Sequence, residues 1–133
     1  MIAIDTSAVV AIVLGEPERH RFLEVIRASG AALISTVSVV EARMVVHGRR
    51  GPRAVALMDD WLRLPPLQVT PATSSEMDAA TAAFVVYGKG SGHPAALNFG
   101  DVFSYALAKV RGIPLLFKGD DFAKTDIRSA LEA

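Results

Sequence analysis

Residues 1–7, Met1-Ile2-Ala3-Ile4-Asp5-Thr6-Ser7, are the stretch from which the fold can be read. Ile2, Ala3 and Ile4 make a short apolar run that stops on a carboxylate, and Thr6 and Ser7 suit the start of a helix. Because consecutive positions are apolar, both faces of such a strand are covered, as in a parallel sheet with helices on either side. Asp5 then stands at the carboxyl end of the strand, where open parallel sheets bind their ligands. A lone Asp there can equally be the cap of the following helix. The reading therefore depends on whether other acids join it.

Outward from this stretch, strand-like and helix-like segments alternate. Ala8 to Leu14 suggests a short helix closed by Gly15, and Pro17 suits the first turn of a second helix that ends at Gly30. Ala32 to Ser35 (ALIS) is a second buried strand. Ser38 is expected to open a helix in which Val37, Val40, Glu41, Met44 and Val45 share a stripe, with a break at Gly48 to Gly51 (GRRG). Pro52 begins another helix, running to Leu64, and LQVT is a short third strand. Thr73 to Glu76 has the spacing of a capping box before an alanine-rich helix. Gly88 to Gly100 reads as a long irregular loop, more often functional than idle. Asp101 is expected to start a helix ended by Gly112, and Pro114 to Phe117 is a fourth strand, followed by the turn KGDD. The order predicts an α/β three-layer domain, a central parallel sheet flanked by helices.

The 133 residues suit one domain spanning 1–133, and 51% hydrophobic residues suffice for its core. No apolar run approaches the roughly 18 residues of a membrane span, and the start lacks a basic signal-peptide region. A cytoplasmic protein without a membrane role is expected. The chain has no cysteine, which excludes disulfides, thiolate catalysis and zinc–cysteine sites. Lys plus Arg equals Asp plus Glu at 14 each, so any nucleic-acid contact must rest on a local basic patch.

The acids that stand out are Asp5, Glu41, Asp101 and the pair Asp120 and Asp121. Each has a structural alternative: Ser38 and Glu41 fit a capping box, Asp101 fits a helix N-terminus, and Asp120 or Asp121 fits a turn. Taken together they favour a shared site, since most fall at strand ends or on the helices those strands feed. Carboxylates brought together without a cation repel and raise one another's pKa, and a hard divalent cation removes that cost. All-oxygen ligation suits Mg²⁺ or Mn²⁺ better than zinc. Such a site can activate a water for in-line attack on a phosphodiester.

MIAIDTSAVVAIVLGE, STVSVVEA around Glu41, LNFGDVFSYALAK around Asp101 and LLFKGDDFAKTDI, in this order over essentially the whole chain, resemble the PIN-domain ribonucleases, and more narrowly the VapC toxins of bacterial toxin–antitoxin pairs. The resemblance implies a Mg²⁺-dependent endoribonuclease, with Mn²⁺ able to substitute, acting on structured RNA such as transfer RNA. It implies Asp5, Glu41 and Asp101 as metal ligands, with Asp120 or Asp121 as a fourth acid. Thr6 or Ser7 resembles the hydroxyl beside the first acid, and Asn98 and Ser104 could likewise hold a carboxylate or water in place. Lys118 and Arg43 are candidates for RNA phosphates, though a solvated helix face explains such cations as well. A cognate VapB-type antitoxin is implied. Mean hydropathy of +0.35 suggests apolar surface left over for a homodimer and for that antitoxin, gripped between the N-terminal helices, with a basic side chain reaching the acids.

Two other classes fit less well. A phosphoreceiver-like switch would want a phosphoacceptor Asp after the third strand, where Thr70 and Pro71 stand. A non-catalytic RNA-binding or protein-interaction module on the same fold would be marked by a missing acid, and none is missing.

Overall fold

Side chains alternating along the short strands divide the molecule into layers, as seen in a computed structural model that describes residues 1–132. Its elements are β1 (Ile2–Ile4), α1 (Thr6–Val13), α2 (Arg19–Ser29), β2 (Ala32–Ser35), α3 (Thr36–Arg50), α4 (Pro52–Leu62), β3 (Leu67–Thr70), α5 (Ser74–Tyr87), α6 (Phe99–Arg111) and β4 (Leu115–Leu116). A short 3-10 turn, Phe122–Lys124, follows. Ile2 and Ile4 of β1, Ala32 and Ile34 of β2 and Leu116 of β4 join Phe22, Ile26, Val46, Met58 and Leu62 in one core, under α1 to α4. Ala3, Leu33 and Leu115 point the other way, into a second core with Ala80, Ala83, Val102 and Leu107 of α5 and α6. Three layers follow from this alternation of side chains. Ile4 and Ile34 are fully buried, each contributing about 1.5–3 kcal/mol by leaving water.

All strand pairings are parallel, in the order β3-β2-β1-β4. The chain steps outward from β1 to β2 to β3, then returns to place β4 on the other side of β1. The carboxyl ends of β1 and β4 therefore flank the point where strand order reverses, the usual ligand crevice of an open α/β sheet. Among the described residues no helix is long and apolar enough to cross a membrane.

Several expected boundaries move. α3 begins at Thr36 under a Ser35 cap, whose hydroxyl oxygen accepts from Val37 N at 3.2 Å, and it passes through Gly48 without a break to Arg50. Ser38 is thus inside the helix, which removes the capping-box explanation of Glu41. α6 begins at Phe99 rather than Asp101 because Asn98 is the cap. The loop between α5 and α6 is a packed structural segment. Gly88 and Leu97 form an isolated bridge, Ala95 and Leu97 are fully buried, and His93 accepts from Ala95 N at Nδ1.

Candidate functional site

Asp5, Glu41 and Asp101, far apart in the chain, line one cleft of about 470 Å³ at the carboxyl edge of β1, together with Thr6, Ser7, Val10, Glu16, Val45, Lys118 and Gly119. Three different local devices deliver the three carboxylates.

Asp5 leaves β1 and caps α1, its Oδ2 accepting from Ser7 N at 3.0 Å. The helix-cap reading is met by one oxygen, and the other is left over from it. Asp5 is 3% exposed, and its Oδ1 is buried without a hydrogen-bond partner. A buried carboxylate oxygen with nothing to accept from is costly.

Glu41 is carried by α3 and faces the cleft beside Val45, one turn further on. Asp101 sits in the first turn of α6 within a reciprocal capping box: Asn98 Oδ1 accepts from Asp101 N at 2.9 Å, and Asp101 Oδ2 accepts from Asn98 N at 3.0 Å. The box fixes the rotamer of Asp101. Burial pushes its pKa up from 3.8 to about 6; the Asn98 N–H opposes this, and the charges of Asp5, Glu41 and Asp121 add to the rise.

Hydroxyls staple the acid-bearing segments to one another. Thr6 Oγ1 donates to the Ser38 carbonyl at 3.1 Å, joining α1 to α3. Ser38 and Ser104 hydroxyls lie 3.1 Å apart, joining α3 to α6, and both side chains are buried. Ser7 Oγ accepts from Lys118 N at 3.0 Å, joining the start of α1 to the exit of β4. Thr6 and Ser7 thus act on the backbone around the acids. Ser104, expected beside a carboxylate, instead bonds Ser38, and Asn98 serves as a cap.

The remaining expectations divide. Asp120 and Asp121 are both exposed and outside the residues lining the cleft, but only Asp121 contributes charge to Asp101. Lys118 reaches the cleft with its ammonium already engaged, 3.0 Å from Glu16 Oε2 and 3.4 Å from Glu18 Oε1. The hydrogen bond to Glu16 leads in raising its pKa. Arg43 is two residues from Glu41, about 200° around the helix, where Nε donates to Asp59 of α4 at 3.0 Å. It belongs to the α3–α4 contact and not to the cleft. Glu16 was missed by sequence reasoning, because the GEPE stretch carries only turn signals and its side chain reaches the cleft through Lys118. Ser38 was misread as a cap, although S-x-x-E spacing did mark it as one turn from Glu41.

The donor set is entirely oxygen, which suits a hard divalent cation, and the orphaned Asp5 Oδ1 is the atom such an ion would satisfy. Among the described residues no three His, Cys, Asp or Glu side chains close into a ligand cage by themselves. Mg²⁺ does not require one, since it binds through one or two carboxylates and keeps several waters.

A larger apolar groove, about 550 Å³, abuts the acid cleft and shares Glu41 and Val45 with it; Val37, Val40, Met44, Asn98, Phe99 and Gly100 complete its lining. A third depression of about 260 Å³ lies between α1, α2 and α4, lined by Ile12, Val13, Leu23, Leu57, Met58 and Trp61 with Arg19.

Known proteins resemble the chain along nearly its whole length. The PIN domain family model matches residues 2–128. VapC ribonuclease Mb0640 of Mycobacterium bovis is 44% identical over 126 residues, 95% of either chain. Among solved structures, Mycobacterium tuberculosis VapC20, described as a sarcin-ricin loop cleaving toxin, superposes with a TM-score of 0.77 at 20% identity, covering 96% of each chain. VapBC2 from Rickettsia felis, bound to a DNA fragment from its promoter, gives 0.75 at 14% identity, covering 97% of this chain and 96% of that one. With the parallel sheet and the acids gathered at its switch point, these likenesses identify the chain as a member of the PIN-domain family, in its VapC branch.

Proposed function

We propose that this protein is a divalent-metal-dependent endoribonuclease, the toxin of a VapBC-type toxin–antitoxin pair, hydrolysing RNA phosphodiester bonds in the cleft at the carboxyl edge of β1. The observation that carries the reading is the buried, unpartnered Asp5 Oδ1 in a cleft shared with Glu41 and Asp101. Asp5, Glu41 and Asp101 would hold Mg²⁺, with Mn²⁺ able to substitute, and Asp121 is the fourth acid in preference to Asp120. A cation held there supplies a lowered water pKa, alignment for in-line attack and neutralisation of charge at the leaving oxygen. The chain's own part is to hold its carboxylates still. The Asn98–Asp101 box and the Ser7 N–H each fix one oxygen of an acid and leave the other without a hydrogen bond.

The substrate is structured RNA, with transfer RNA the first candidate. Since Lys118 and Arg43 are engaged, phosphate contacts fall to Arg49, Arg50 and Arg53, which are exposed at the α3–α4 corner. The antitoxin takes the apolar depression between α1, α2 and α4, the N-terminal helices, and extends a basic side chain toward the acids. A second copy of the chain covers the groove of α3 and the start of α6, where Val40, Met44 and Phe99 are 53%, 70% and 72% exposed. A toxin working on its own cell's RNA acts in the cytoplasm.

The test is purified protein with transfer RNA and ribosomal RNA, its cleavage ends mapped by sequencing. Cleavage should appear with Mg²⁺ or Mn²⁺ and stop in EDTA. Ca²⁺ should bind yet support it poorly, being larger and looser in geometry. Cleavage undiminished in excess EDTA overturns the metal assignment. Light scattering of the protein copurified with the product of the neighbouring gene tests the partners; a strict monomer that recruits nothing removes them.

A further inference from the structure

Gly100 is a glycine that neither turn geometry nor helix formation explains, and its missing side chain faces one of the cleft acids. The seven glycines with positive φ face open space, so their backbone conformation accounts for them. Gly100 is different: it lies in the first turn of α6, its φ is not positive, and it is buried. Glycine is a poor helix former and alanine the best, so the helix alone would favour alanine there. What a side chain would meet is Glu41. A Cβ built at Gly100 falls on the carboxylate of Glu41, against Oε1, Oε2 and Cδ together, closer than real Cβ atoms stand to any neighbour.

We propose that Gly100 is a positioning residue: the space left by its missing side chain is the recess that seats the Glu41 carboxylate in the acid cleft. Gly100 and Glu41 also line the apolar groove next door, so a carboxylate displaced from this recess has open space to enter. The atoms in the way are the far end of a flexible side chain and not backbone, so alanine at position 100 need not unfold the protein. It moves Glu41. This rests on reading the cleft as a divalent-cation site, and it adds a residue that touches neither cation nor RNA.

The experiment uses the full chain carrying Gly100→Ala, with Mn²⁺ binding followed by titration calorimetry and melting followed without metal. The melting temperature is expected to stay level or rise, while Mn²⁺ affinity falls about 10- to 100-fold, as when a ligand loses its support. Glu41→Asp, one methylene shorter, withdraws the carboxylate from the added methyl; in that background Gly100→Ala should change affinity by less than about twofold. Equal losses in both backgrounds, or a lower melting temperature with affinity intact, would overturn the assignment. A crystal structure of metal-free Gly100→Ala gives an answer that does not depend on any cation. Glu41 displaced with α6 unmoved supports the proposal, and Glu41 in place with α6 shifted sinks it. Should the unaltered protein bind no Mn²⁺ at all, the cation reading of the cleft fails, and the crystal comparison still decides the role of Gly100.

Discussion

Asp101 and Asp126 are carboxylates near opposite ends of contacts made by one helix, and their surroundings could hardly differ more. Asp126 has both oxygens satisfied: Tyr105 donates its hydroxyl to Oδ1 at 2.5 Å and Lys109 its ammonium to Oδ2 at 2.7 Å. Its pKa is lowered, first by the hydrogen bond to Lys109 and then by that to Tyr105. Asp101 meets the charges of Asp5, Glu41 and Asp121, and its pKa rises to about 6. Burial leads the rise there. A carboxylate with all its donors pins the C-terminal segment to α6; a carboxylate buried among other carboxylates is costly in its charged form, a cost that taking up a proton or a cation would relieve.

The comparison is broken most directly by Asp101→Asn. Cleavage should fall by about three orders of magnitude, the loss of several kcal/mol of charge stabilisation, while metal-free stability stays level or rises. Near wild-type cleavage by that variant would remove Asp101 from the site. Ser38→Ala comes next: it leaves the buried Ser104 hydroxyl unpartnered between α3 and α6, and chemical denaturation should register a loss of about 1–3 kcal/mol with Mg²⁺ affinity weakened as well. Unchanged stability would mean that packing alone holds the two helices together.

Tyr105→Phe strikes the satisfied cluster and should cost about 1 kcal/mol with no effect on RNA cleavage. A cleavage defect there would link the two clusters. The pH profile sharpens the contrast further. Asp101 has a folded pKa of about 6 against an ordinary 3.8, so between those values the folded state binds the extra proton and metal-free stability falls as pH rises. Asp126, with its lowered pKa, has the opposite sign, contributing stability that is lost only as pH falls below the ordinary carboxylate range. Denaturant midpoints between pH 4 and 7 should therefore slope downward in the unaltered chain and flatten in Asp101→Asn. Identical slopes in the two proteins would contradict the assignment.

Much of the fold could be read from local pattern. ALIS and LQVT are strands at the boundaries expected, and the helix ending at Tyr87 begins under its Thr73 cap. Boundaries failed where two signals of similar strength competed. Ser35 and Ser38 are both good caps, and burial of Ser38 against Ser104 decided for Ser35. Gly48 reads as a helix breaker, but an exposed helix tolerates one glycine at about 1 kcal/mol when its flanking turns are packed. The long loop shows only its length in the sequence, whereas the structure shows that the buried Ala95 and Leu97 anchor it.

By itself the sequence determined the layers, the ends of β1, β2 and β3 and the three acids that line the cleft, because apolar periodicity and residue type at a strand end act over a few residues; β4 is shorter than expected, Leu115–Leu116 against Pro114 to Phe117. Tertiary structure alone decided the rest. It brought Glu16 to the cleft, committed Lys118 and Arg43 to ion pairs, set Asp121 rather than Asp120 to act on Asp101, and laid Glu41 over Gly100. The reason is physical: a carboxylate's partners are whatever the packing brings within a few ångströms, and no pattern local to the chain encodes that distance.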